Sequence, residues 1–266
     1  MITKPSRGAR TRARLGRTLS RARWSEYRGL LRIAGAQGYA VLSLEAWLDD
    51  PARTSAQPRL IVRHDVDQHP ASALKMAAIE ADAGVLSTWY FRWRTALPGV
   101  VETIRSQGHA VGLHYETLTR ELLQRGLGPA EAEGMIPHAR ELLRGELAAF
   151  AERFGPVRSA CPHGDTRLPG VHNGVLLLGQ DWAAYGLRWD ANAAMRAHAI
   201  DVWLSDRSTA EGRWKDRLDP IDLIVDRRSP ILAVVHPNNW VSGLGLWWDR
   251  APLGGKRTGS DTPSIG

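Results

Sequence analysis

The chain has one cysteine, Cys161, in 266 residues, so it cannot form an internal disulfide, and its cohesion must come from a packed core. That usage fits a reducing compartment. No run approaches the ~18 apolar residues a membrane helix needs, and the arginine-bearing N-terminus lacks the apolar stretch of a secretory signal. The cytoplasm is therefore the expected location. Two phosphate-cradling glycine motifs are also missing, G-x-G-x-x-G and G-x-x-x-x-G-K-[ST], which argues against the usual nucleotide folds.

The positive charge, net +7, looks at first like a nucleic-acid signature. Residues 1–28 hold eight Arg, one Lys and one Glu, a balance of +8 that leaves −1 for the remainder. The basicity belongs to an arm over residues 1–23, read as flexible and solvated, and no specific nucleic-acid partner is expected. One domain is expected over residues 24–250, since the length suits a single large core. The Gly-, Pro-, Ser- and Thr-rich residues 251–266 read as a disordered tail.

Between these ends, strand and helix patterns alternate. Helices are predicted over Trp24–Ala36, Ser43–Leu48, Pro70–Ala83, Pro98–Gln107 and Pro129–Phe154, the last broken at Pro137. Strands are predicted at Leu60–Val62, Ser87–Phe91, Ala110–His114, Val157–Cys161, Val202–Leu204 and the continuous apolar run Ile231–Val235. Residues 162–199 show little periodicity, with a helix expected at Val171–Leu178. Repeated β-then-α units imply a parallel sheet with crossover helices, either open or closed into a barrel.

Four polar clusters each follow a predicted strand: Asp65 and Asp67; His114 with Glu116; His163 in Cys161-Pro-His-Gly; and His236 in His-Pro-Asn-Asn-Trp. Strand alternation puts Arg63, Asp65 and Asp67 on one side. Two carboxylates that close need a metal or a shared proton. In a parallel sheet the strand ends converge on one rim, where carboxylates and imidazoles suit zinc and similar divalent ions. The remaining His and Asp can act as acid and base. A single His at a strand end is more often structural, and His64 and His109 read so, His64 lying opposite Asp65. Glu116 reads equally as a loop charge. Arg63 reads as orienting Asp65, holding a substrate anion, or forming a structural ion pair.

Taken together, these motifs resemble the polysaccharide deacetylase superfamily, the carbohydrate esterases with a NodB homology domain. Arg63-His-Asp-Val-Asp resembles its first motif, Gly108–His114 its second and Val235-His236-Pro its last; Ser205-Asp-Arg with Gly212-Arg-Trp214 resembles a further segment of bacterial members. The resemblance spans roughly residues 60–240. It implies an α/β fold, a distorted (β/α) barrel of about seven parallel strands, and a hydrolase of C–N bonds other than peptide bonds. The implied reaction is metal-dependent removal of an N-acetyl group from an N-acetylated sugar or glycan precursor, so the expected partner is a carbohydrate. It also implies Asp65 as base, Asp67 and His114 as metal ligands and His236 as acid.

One position departs from the pattern: the second motif normally supplies a second His four residues on, and Leu118 stands there. His163 is the first choice for the third ligand of a divalent metal, zinc foremost, and Glu116 the second. A metal-independent cyclic-amide hydrolase, like the allantoinase branch, and a non-catalytic glycan-binding relative are the alternatives. Eleven tryptophans offer faces for pyranose rings. Trp240 is the expected sugar contact; Trp89, Trp93, Trp247 and Trp248 are further candidates.

Overall fold

The computed structural model describes residues 21–50, 56–197, 200–206 and 214–242. Most of the arm, the tail, the Gly212-Arg pair, Trp247 and Trp248 lie outside them. The fold is α/β, a curled half-barrel with seven parallel strands in the order β6-β5-β4-β3-β2-β8-β7, and a short eighth strand, β1, paired beside β2. In chain order the strands are β1 (Ala40–Leu42), β2 (Arg59–Val66), β3 (Thr88–Phe91), β4 (Ala110–Tyr115), β5 (Ser159–Pro162), β6 (Trp189–Asp190), β7 (Val202–Ser205) and β8 (Ile231–Val235). The helices are α1 (Trp24–Ala36), α2 (Leu44–Asp49), α3 (Pro70–Asp82), α4 (Pro98–Ser106), α5 (Thr117–Gln124), α6 (Ala132–Phe154), α7 (Ala191–Ala197) and α8 (Pro220–Val225). No helix among the described residues is long and apolar enough to cross a membrane.

Strand β2 pairs with three others. One edge pairs with β8 over Leu60–His64; the other pairs with β1 over Arg59–Ile61 and then with β3 over Arg63–Val66. All eight of its residues are buried, as expected for a parallel strand covered on both faces. Its alternation divides two cores. Leu60, Val62 and Val66 face the outer helices in the larger cluster, while Ile61 joins Tyr90, Cys161, Leu232 and Val234 in an inner one. Chain α7 connects the two edge strands, and its Ala191, Ala194 and Met195 pack into that inner cluster. Glu45 of α2 also enters it, accepting hydrogen bonds from Thr88 and Ser159.

The outer face of β2 carries polar residues too. His64 Nε2 lies 2.7 Å from Glu80 Oε1, and Tyr27 and Ser87 donate to the same carboxylate. His64 stacks on Trp89 with ring centroids 3.8 Å apart. Ser87 N donates to His109 Nδ1 at 3.1 Å. Both histidines thus lie away from the strand-end rim, in a buried structural network.

Local signals explain most element ends. Pro70, Pro98 and Pro220 open their helices, where a missing N–H costs nothing. Helix α6 runs unbroken through Pro137, contrary to the predicted break. The proline lies in the helix's second turn, where its ring and missing N–H disturb only the first turn. In the expected helix Val171–Leu178 only the 3₁₀ turn Asn173–Leu176 forms. Five elements carried no clear sequence signal: β1, α5, β6, α7 and α8, most of them a turn or two long.

Gly112 of β4 marks the tightest point of the inner face. A Cβ there would meet Ser159 O at 2.3 Å and the Tyr90 ring at 2.7 Å. We expect Gly112→Ala to lower unfolding free energy by about 1–3 kcal/mol, the usual range for overpacking, read as a lower urea midpoint with unchanged slope.

Candidate active site

All seven strands of the curled sheet end in a polar residue at the same rim. These are Asp67 beyond β2, Arg92 beyond β3, His114 near the end of β4, His163 beyond β5, Asp190 at the end of β6, Asp206 beyond β7 and His236 beyond β8. Between β2 and α3 the chain turns through His69 in the left-handed region, φ 59°, a conformation histidine tolerates better than most residues.

Arg63 and Asp65 point into the barrel. The guanidinium grips the carboxylate at both ends, Nε to Oδ1 at 2.8 Å and Nη2 to Oδ2 at 2.7 Å. Its Nη1 donates to Asn192 Oδ1 at 2.8 Å, and it also touches the Cys161 sulfur. Burial opposes the charge on Asp65, but Arg63 and then His114 hold its carboxyl far below the usual carboxylate range. Arg63 is 3% exposed, so of its three sequence readings the one as holder of a substrate anion is corrected here: its charge is already spent on Asp65.

A second cluster lies beside this pair. His114 Nε2 is 3.4 Å from Asp67 Oδ1, and His163 Nε2 is 3.5 Å from the same oxygen. The donor atoms of Asp67, His114 and His163 all lie within 4.8 Å of one another. Asp67 Oδ1 is buried and has no hydrogen-bond partner among the described residues. A buried carboxylate oxygen without a donor is costly, and a cation between these groups would relieve it. His114 Nδ1 donates to the Cys161 carbonyl at 3.0 Å, an oxygen that only accepts, which turns Nε2 toward the cluster. Burial, and then the neighbouring His114, push the His163 pKa down to about 4, leaving it neutral as a ligand must be. One carboxylate and two imidazoles fit a divalent metal such as zinc.

Glu116 lies farther out. It pairs with Arg92, and its Oε2 is 3.8 Å from His163 Nδ1. Leu118 is buried on the outer side of the sheet, in the larger core cluster, because α5 starts immediately beyond the rim and turns that position inward to the helix layer.

His236 faces the cluster from the other side, its Nε2 3.9 Å from Asp67 Oδ2. Asp206 fixes it: Oδ1 accepts from His236 Nδ1 at 2.6 Å and Oδ2 from the His236 backbone N–H at 2.9 Å. Asn239 and Trp240 donate to the same carboxylate, the indole at 2.7 Å. Burial works against the imidazolium, yet the Asp206 hydrogen bond and charge raise the His236 pKa to about 9. Sequence reasoning gave Asp206 no role, although it follows a predicted strand as the other rim residues do.

Trp240 corrects an expectation. It is 2% exposed, with Tyr27 and Trp214 edge-on to its ring and the Arg23 guanidinium 4.7 Å from its centroid. Its faces are occupied, so it supports Asp206 and does not stack on a sugar. Trp89 is fully buried as well. The open space beside the cluster is a groove of about 520 Å³, lined among others by Pro162, His163, Asn173, Leu178, Asn192 and Arg196.

No family model matches the sequence, and no curated protein does. Solved structures that are similar include two family 4 carbohydrate esterases. One, a family 4 carbohydrate esterase from Bacillus anthracis, is 14% identical with a TM-score of 0.38, covering 78% of this chain and 76% of its own. The other, a family 4 carbohydrate esterase from Streptomyces lividans in complex with acetate, is 14% identical with a TM-score of 0.34, covering 70% and 83%. Likenesses this loose say nothing of catalysis, and the chemistry rests on the rim itself.

In chelator-treated protein, the His236 proton is expected to titrate near pH 9 by ¹⁵N NMR and to move down toward the ordinary 6.5 in Asp206→Asn. Because the folded-state pKa is the higher one, this bond's stabilisation is complete below 6.5 and lost as pH rises through about 9. The Asn variant should lack that loss.

Proposed function

We propose that this protein is a metal-dependent hydrolase that removes an N-acetyl group from an N-acetylated sugar or glycan precursor. The observation that carries the reading is the Asp67–His114–His163 cluster, set between a carboxylate held by arginine and a histidine held by aspartate. Asp67, His114 and His163 would hold the metal. When bound, such an ion acidifies an attacking water and polarises the acetyl carbonyl, which suits a carboxylate as weakly basic as Asp65.

The chain's own residues divide the proton traffic. Asp65, kept ionised and fixed in direction by Arg63, takes the proton of the attacking water. His236 carries its proton on the side facing the cluster, because Asp206 occupies Nδ1, and gives it to the leaving amine. The product is a free amine and acetate. The groove beside His163 would take the sugar, with Asn192 linking its wall to Arg63. The resemblance of the motifs supports the same assignment.

Two measurements test this. His163→Ala should weaken zinc binding by at least about a hundredfold, the upper end of what losing an outer-shell partner alone costs, as read by competition with a chromogenic chelator. Asp65→Asn should cut acetate release from an N-acetylglucosamine oligomer by on the order of 10²–10⁴, the usual worth of a general base. Activity that survives thorough chelation, with no stoichiometric metal in the purified protein, would overturn the mechanism.

A further inference from the structure

Most charges around the rim come in pairs. Arg63 holds Asp65, Arg92 holds Glu116, Arg167 holds Asp165 and His236 holds Asp206. Asp190 is held by neutral donors, Tyr115 and the Ala193 backbone N–H. Asp67 belongs to the metal cluster, and two arginines, Arg196 on the groove wall and Arg94 beside Asp67, have no carboxylate partner among the described residues; of the two, Arg94 is the one tied to the cluster.

Arg94 is exposed, and its only hydrogen bond there is from Nη2 to the backbone oxygen of Asp67, at 3.2 Å. It is held at that spot. It belongs to the 3₁₀ turn Trp93–Thr95, which Thr95 pins to the end of β2 by donating to Val66 O at 2.6 Å, while Arg92 N donates back to Thr95 at 3.1 Å. Trp93, next to it, packs edge-on against Phe150 of α6. The turn is anchored on both sides, so this cation is positioned, unlike an arginine on a loose surface loop.

Partial burial, and then the like charge of Arg92, disfavour the charged form of Arg94, while Glu116 and Asp67 attract it less strongly. A guanidinium does not give up its proton in a protein, so Arg94 stays charged at this spot. The four remaining guanidinium donors point to a planar or tetrahedral oxyanion, which arginine binds in a forked fashion.

We propose that Arg94 recognises an oxyanion, phosphate or carboxylate, carried by the substrate next to the acetylated amine. This deepens the hydrolase reading above and rests on it. The substrate is then an anionic N-acetylated sugar and not a neutral homopolymer. Arg94 acts on specificity; no proton or bond passes through it.

The test is calorimetric, on the full chain as purified, with N-acetylglucosamine, N-acetylglucosamine 1-phosphate and N-acetylmuramic acid as probes. Any pull of a metal on the oxyanion is common to all variants. In the wild type at least one anionic sugar should bind about tenfold or more tightly than the neutral one, the scale of one charged hydrogen-bonded contact. The arm that gains identifies phosphate or carboxylate as the group read. Arg94→Ala should erase the gain without changing binding of N-acetylglucosamine, Arg94→Gln should do the same, and Arg94→Lys should keep part of it. Equal binding of all three sugars by the wild type, or a gain that persists in both Arg94→Ala and Arg94→Gln, overturns the proposal. Acetate release is scored separately. Release from these sugars without an anionic preference sinks this inference alone, whereas an Arg94-dependent preference without any release sinks the hydrolase reading.

Discussion

The buried ion pair between Arg63 and Asp65 is the constraint on which the site depends. Taking both charges out of water costs several kcal/mol each, so the pair persists only because its geometry is two-pronged and its remaining donors are used. Those donors reach Asn192 on α7 and Cys161 on β5. One guanidinium therefore ties β2 across the barrel interior to β5, with β3 and β4 between them, and to the helix that bridges the sheet's two edges. Breaking either partner would leave an uncompensated charge in the inner core, and the damage would spread to the groove wall as well as to Asp65.

Around that pair the fold solves the same problem three more times. Asp165, Glu116 and Asp206 are each matched with a cation, Asp190 is held by Tyr115 and a backbone N–H, and two rim histidines are oriented by a neighbour. The Cys161 carbonyl orients the His114 ring, and Asp206 orients that of His236. The tryptophans take part as supports. Trp240 delivers an N–H to Asp206, and its own backbone oxygen accepts from Arg23 at the root of α1.

Much of this was legible before any coordinates. Period-two alternation separated His64 from Asp65, and the rule that parallel strands end together gathered Asp67, His114, His163 and His236. Asp206 obeyed the same rule but was passed over, because its chemistry is expressed through His236, thirty residues on in sequence. The misreading of Trp240 has a different origin. Sequence tells that an indole follows a rim motif, but whether its faces are open depends on Tyr27, Trp214 and Arg23 arriving from other parts of the chain. Residues 162–199 resisted reading because they fold into 3₁₀ turns and elements too short for a period to emerge.

Strand β2 is unusual in having ionisable groups committed on both of its faces, Arg63 and Asp65 inward and His64 outward to Glu80. A strand with one apolar face can lose or gain a residue and recover by sliding its partner. This one cannot, because a slip of one position would drive His64 into the barrel and strand both members of the ion pair against the outer core. Insertions and deletions should therefore be confined to the connections on either side of it. The segment Arg59–Val66 is a frozen reading frame within an otherwise editable chain.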